Sequence, residues 1–360
     1  MSRKYNFFAG PSVLPVEVLE TLEKEIKDYK GNGQSMIETS HRGAMFSEMY
    51  AEAQSLFREL LGISDDYDVY FLGGGATLQF TMIPMNFLRP GTVADYIKSG
   101  SWANKAGQDA EKIGKVNYYF DGTDSNFTTL PDPKTVKPSE NSSYLYLCSN
   151  ETIGGIEWQD FPETGDTPLI ADMSSDILSR PVDVNKFSMI YGGVQKNLGP
   201  AGATFIIMKK DMLERQNPNL TNYLNYAKHS KGNGLFNTPP VFSIWGVKLV
   251  LEWVKKNGGA QGMLDRATEK SNIIYNVLDS SSFYTSPVDP KYRSKMNIVF
   301  RAPTEDLEKK FVEEATKEGM LGLKGHRSVG GLRASVYNAC PKADVEVLAQ
   351  FMKEFERKNG

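Results

Sequence analysis

Two kinds of apolar pattern alternate along the first two thirds of the chain. Short blocks are apolar at nearly every position: DVYFL, TVADYI, KVNYYF, SSYLYLC, PLIAD, FSMIY and ATFIIM. Between several of them lie stretches with helical spacing, such as ATLQFTMIPMNFL and SWANKAGQDAEKIG. Strands buried on both faces and separated by helices predict a mostly parallel sheet with helices on both sides. The expected class is α/β. Ahead of the first strand, VEVLETLEKEIKDYK predicts an amphipathic helix from Pro15 to Gly31. SEMYAEAQSLFRELLGI predicts a second, with Ser47 as its N-cap.

Past residue 240 the pattern changes. PPVFSIWGVKLVLEWVKKNGG and AQGMLDRATEKSNIIYNVLDS read as long helices. KMNIVFRAP, a helix near 304–318, LRASVYNA and a final helix DVEVLAQFMKEFERK follow. This reads as a smaller α+β domain. The expected division is a large domain over 16–255, and a small one over 256–360 with 1–15.

Composition narrows the field. A chain of 360 residues exceeds what one core normally serves. A net charge of -3 gives no bulk nucleic-acid surface. Cys148 and Cys340 are the only cysteines, far apart, so neither a disulfide framework nor a zinc site is expected. Three histidines are too few for a His-rich metal site. The N-terminus MSRKYNFFAGPSVLP lacks a signal-peptide core, and no apolar run is long enough to span a membrane. A cytoplasmic setting is expected.

Chemistry gathers where strands should end, the place where ligands collect in such sheets. Gly73-Gly74-Gly75 precedes Ala76 and Thr77 at a predicted helix start, either a tight turn or a nest for an anion. Asp172 closes PLIAD, either as a helix cap or as the partner of a ring nitrogen. Lys196 follows FSMIYGGVQ, with Gly193 and Gly199 on either side. A lysine there is either a solvated loop residue or an amine placed to condense with an aldehyde. Trp102 follows another strand end, in the core or against a ring. A lysine, a carboxylate and a phosphate nest are the fixtures that pyridoxal phosphate needs. His41-Arg42 and His326-Arg327 suit a phosphate, and Arg333 suits a carboxylate, unless all are scattered surface charge.

Several blocks together resemble the phosphoserine aminotransferases, class-V members of the fold-type I pyridoxal phosphate enzymes. They are FFAGPSVLP, SHRG, GGGATLQF, SGSWA, ADMSSD, VQKNLGPAG, NTPP and HRSVGGLRASVYNA. The resemblance implies exchange of an amino group between O-phosphoserine and 2-oxoglutarate, giving 3-phosphooxypyruvate and glutamate. 4-Phosphooxy-L-threonine is a second candidate substrate. It implies that Lys196 carries the cofactor and moves the substrate proton. Asp172 would pair with the ring nitrogen, Trp102 would stack on the ring, and Thr152 would bond the ring hydroxyl. Ala76, Thr77 and Gln195 would bind the cofactor phosphate. Asn237 and Thr238 would reach that phosphate from the second subunit of a homodimer. Arg333 would take the α-carboxylate. His41, Arg42, His326 and Arg327 would surround the substrate phosphate, the first pair coming from the partner. Some members read GGGRGQF where this chain reads GGGATLQF, which lacks their arginine.

Three rival readings are weaker. A nicotinamide dehydrogenase would open on GxGxxG, which is missing here. A non-catalytic phosphometabolite binder needs neither Lys196 nor Asp172. A cysteine desulfurase needs a mobile cysteine, and Cys340 follows a predicted strand with no glycine-rich loop around it.

Overall fold

The computed structural model describes residues 3–360. Its centre is a seven-stranded sheet. In chain order the strands are β1 (Tyr67–Leu72), β2 (Val93–Lys98), β3 (Val116–Asp121), β4 (Ser142–Cys148), β5 (Leu169–Asp172), β6 (Met189–Gly193) and β7 (Thr204–Lys209). Their spatial order is β1-β7-β6-β5-β4-β2-β3. From β6 to β3 all pairings are parallel, while β7 runs antiparallel to both of its neighbours. The reason lies in the connection. Only residues 194–203 join β6 to β7, too few for the helical crossover that parallel pairing needs. Strands β5 and β6 are buried at every position, as expected for a sheet covered on both faces. Edge strand β3 is mostly half-exposed.

The helices are α1 (Val16–Glu25), α2 (Ala44–Leu61), α3 (Gly75–Phe87), α4 (Ser101–Glu111), α5 (Tyr226–Lys231), α6 (Val241–Lys256), α7 (Gly259–Ser280), α8 (Glu305–Lys317) and α9 (Lys342–Asn359). Two differ from their sequence-based bounds. Helix α1 stops at Glu25 rather than near Gly31. Asp28 is extended and accepts from Gly33 N at 2.7 Å, while Lys30 has φ 51°, so the chain turns back early. Helix α2 starts at Ala44, ahead of Ser47. Ser47 therefore lies inside the first turn, where its hydroxyl donates to Gly43 O at 3.0 Å instead of capping.

Apolar side chains form distinct cores. One packs α2 and α6 against one face of the large sheet through residues such as Phe57, Phe205 and Trp245. A second lies on the sheet's other face, under α3 and α4. There the hydroxyls of Tyr146 and Tyr191 bond at 2.8 Å, and those of Tyr96 and Tyr144 at 3.0 Å. Pairing in this way satisfies phenols that would otherwise be buried without partners. A third core joins Phe7 and Val13 to α8, α9 and the antiparallel strands Asn297–Phe300 and Leu332–Ser335. No described helix is long and apolar enough to cross a membrane.

Candidate functional site

The carboxyl ends of β1, β2, β4, β5 and β6 lie on one rim of the sheet, because these strands run in the same direction. The residues that follow them meet there. After β6, Lys196 leaves the strand on a turn closed by Leu198 N and Gly199 N, both donating to Val194 O. Neither flanking glycine is there for a left-handed backbone. A Cβ on Gly193 would lie 2.4 Å from Gln195 Oε1, and one on Gly199 would lie 3.1 Å from the backbone of Val247 in α6. Gly199 answers backbone crowding, while at Gly193 only the movable end of the Gln195 side chain is met. The N-terminal segment straps this turn: Ser12 N donates to Gln195 O at 3.0 Å, and the Ser12 hydroxyl donates to Lys196 O.

The Lys196 amine donates to Thr152 Oγ1 at 2.6 Å and stands 5.5 Å from the Trp102 ring centre. Burial lowers its pKa, against the pull of the Asp172, Cys148 and Glu151 charges. An amine held this way loses its proton more readily than a surface lysine. Asp172 ends β5 and is buried. Its Oδ1 accepts both Ser174 N (2.8 Å) and Ser174 Oγ (2.6 Å), and Ser174 lies in a turn rather than a helix. Both of these bonds fall on Oδ1, and the Tyr191 hydroxyl also favours the ionised carboxylate. Burial raises the Asp172 pKa, with the Lys196 charge opposing. Such a carboxylate is stabilised by a nearby cationic N–H.

Helix α3 begins after Gly74 with no side chain capping it. The N–H groups of its first turn, Ala76 and Thr77 included, have no intrahelical acceptor and favour an anion. Trp102 sits in the first turn of α4, and its buried indole N–H has no partner. Arg333, on strand Leu332–Ser335, is 9% exposed and donates to Thr152 O at 3.0 Å. Its Nε is buried without a partner, and no carboxylate pairs with it among the described residues. Thr152 therefore ties Lys196 and Arg333 together. His326 Nδ1 accepts from Ser328 N at 3.2 Å, leaving the ring proton on Nε2. Burial and the charges of Arg333, Lys105 and Arg327 hold the His326 pKa below its ordinary value. Arg327 is exposed and pairs with no described carboxylate.

The remaining expected residues are not joined to this cluster. His41 and Arg42 precede α2, and no hydrogen bond or ion pair links them to His326 or Arg327 among the described residues. Asn237 and Thr238 are exposed, and their one mutual bond runs from Asn237 Nδ2 to Thr238 O. They do not cap α6, whose N-cap is Pro240. Gln195 borders the site through its side chain at Gly193. A groove of about 660 Å³ is lined by His326 and Arg327 together with Arg301, Glu308 and Lys324, without Lys196 or Asp172.

Sequence reasoning missed Glu151 and Lys105. Glu151 is fully buried and accepts from the α4 backbone. The Lys105 amine stands 4.4 Å from the Trp102 ring centre. Only the adjacency of Glu151 to Thr152, and the i, i+3 spacing of Trp102 and Lys105, hinted at either. Cys340 is buried and its thiol is pushed up to about 12, the opposite of a nucleophilic cysteine.

Residues 4–348 match the family model for class-V aminotransferases. The chain is 49% identical to a phosphoserine aminotransferase of Bacillus cereus over 359 residues, covering 100% of both. The solved phosphoserine aminotransferase from Bacillus circulans subsp. alkalophilus is 48% identical, with a TM-score of 0.98 and 99% of each chain covered. That of Trichomonas vaginalis, solved with PLP bound, is 38% identical with a TM-score of 0.89, covering 98% of this chain and 100% of that one.

Proposed function

The chain belongs to the phosphoserine aminotransferase family within the class-V aminotransferases, and we propose that it moves an amino group between O-phosphoserine and 2-oxoglutarate. One observation carries this reading. Around a half-buried lysine amine of lowered pKa, the fold sets a buried carboxylate and a buried guanidinium with no acid partner among the described residues. These are the counterparts of a ring cation and a substrate carboxylate.

The residues fit pyridoxal phosphate. The uncapped start of α3, with Ala76 and Thr77, and the side chain of Gln195 would hold its phosphate. Asp172 would keep the ring nitrogen protonated. Trp102 would lie along the ring, and the Thr152 hydroxyl would serve the ring hydroxyl as well as Lys196. When bound, this cofactor supplies an aldehyde for amines and an electron sink for charge developing at the substrate Cα. The chain's residues do the rest. Lys196 Nζ, whose pKa is lowered by burial, takes the proton from the substrate Cα. Arg333 orients that carbon by two parallel bonds to the α-carboxylate. His326 offers Nε2–H, and Arg327 its guanidinium, to the substrate phosphate. The rest of the phosphate set, His41 and Arg42, would come from a second copy. Asn237 and Thr238 would likewise reach the other copy's cofactor phosphate, which accounts for their exposure beside the exposed Phe236 and Phe242. The shared phosphate set would also admit 4-phosphooxy-L-threonine. Two buried, unpaired cysteines are compatible with a reducing cytoplasm and a place in serine biosynthesis. We extend the proposal to a large lobe over 16–255 and a small lobe over 256–360 with the N-terminal segment, supported by the third core.

A coupled assay tests the reading. Protein loaded with pyridoxal phosphate should form glutamate from O-phosphoserine and 2-oxoglutarate, and far more slowly from unphosphorylated serine. Arg327→Leu should raise the KM for phosphoserine by about 10- to 150-fold, the range for a lost hydrogen bond to a charged group. The KM for glutamate, whose side chain carries less charge, should move much less. Equal losses for both amino acids, or equal rates with serine, would contradict the phosphate assignment.

Subunit mixing tests the shared site. Lys196→Ala chains and chains carrying Asn237→Ala with Thr238→Ala should each be weak alone. Hybrid dimers should regain one intact site, made from the good Lys196 of one chain and the good Asn237 and Thr238 of the other. Hybrids that form yet stay as inactive as the parents would place those residues in their own chain's site.

A further inference from the structure

Helix α4 has no local cap. Its N-cap is Gly100, which offers no side-chain acceptor, and the Ser99 hydroxyl beside it is buried without a partner. The cap arrives from 49 residues away. Glu151 Oε2 accepts Trp102 N at 3.0 Å, and Glu151 Oε1 accepts Ala103 N at 2.8 Å. A carboxylate at a helix N-terminus satisfies two orphan donors and meets the positive end of the dipole. The fit is tight. A Cβ on Gly100 would lie 2.5 Å from Glu151 Cδ, and with φ 173° at Gly100 the backbone itself does not demand glycine. Gly100 is therefore the space that lets the carboxylate in.

The consequence falls on Trp102. Its backbone N–H is one of the two groups that Glu151 holds, and its ring stands 5.5 Å from the Lys196 amine. The next residue, Thr152, holds that same amine at 2.6 Å. Consecutive residues thus fix the ring from one side and the amine from the other. We infer that Glu151 is a positioning residue of the cofactor site, setting the Trp102 ring against Lys196 by capping α4. This rests on the reading that Trp102 lies along pyridoxal phosphate.

The experiment uses full-length protein stripped of cofactor and titrated with pyridoxal phosphate. It reads the dissociation constant, the visible circular dichroism of bound cofactor at saturation, and the Tm of the cofactor-free protein. Glu151→Ala should raise the dissociation constant about tenfold, the upper end for a single lost hydrogen bond, and should diminish the dichroism even at saturation. Glu151→Gln keeps one acceptor oxygen and should fall between Ala and the parent. Gly100→Ala leaves the carboxylate in place chemically but displaces it, and should reproduce the dichroism change. A lower Tm with parent-like affinity and dichroism in all three variants would make Glu151 a stability cap only and overturn the inference. A parent protein that develops no visible band with pyridoxal phosphate would instead overturn the cofactor reading beneath it.

Discussion

Lys196→Ala should give a folded protein with its transamination rate reduced by about 10⁴-fold or more, the scale seen when a nucleophile or base is removed outright. The fold should survive. The amine makes one side-chain hydrogen bond, to Thr152, while the turn around it is held by backbone bonds to Val194 and by Ser12. Removing a half-buried amine also removes a desolvation cost. Function should not survive, because among the described residues no other lysine amine bonds to Thr152. Pyridoxal phosphate should still bind through the α3 N-terminus, Asp172 and Trp102. Rates and a thermal melt on the same preparation check this. A variant with unchanged Tm and more than a trace of activity would remove Lys196 from the chemistry.

Asp172→Ala should cost about 10²–10³ in turnover, the usual effect of deleting one electrostatic stabiliser from a dry site. Without this carboxylate the ring nitrogen would lose its proton and accept less charge from Cα. Asp172→Asn should not rescue, since an amide cannot balance a ring cation. That comparison separates chemistry from structure. If Asp172 served only to receive Ser174 N and Oγ, as the local turn allows, Asn would restore most of what Ala loses. Activity of the Asn variant within a few-fold of the parent would support that plainer role.

Much of this arrangement was legible in the sequence because the sheet is buried on both faces. Blocks such as PLIAD and FSMIY announce their own ends, and Asp172 and Lys196 sit at those ends. The resemblance then assigned roles that periodicity cannot give. What escaped depended on distance along the chain. Glu151 looks like one more strand residue until the fold carries it to α4, and Gly100 looks like a turn glycine until Glu151 fills the space beside it. Gly199 is similar: its need comes from Val247 in α6, which no local pattern reveals. Ser47 misled because a hydroxyl before an apolar run resembles a cap, whereas burial of Phe46 pulls the helix start back to Ala44. His41-Arg42 and His326-Arg327 read as one phosphate set, yet a single chain leaves them unjoined. The proposed sharing of this set between two copies would account for that.

The most direct test is chemical trapping. Protein incubated with pyridoxal phosphate should turn yellow, lose that colour on sodium borohydride reduction, and yield a single peptide whose mass has grown by the reduced cofactor at Lys196. Label at another lysine, or none on a protein that remains colourless, would contradict the account.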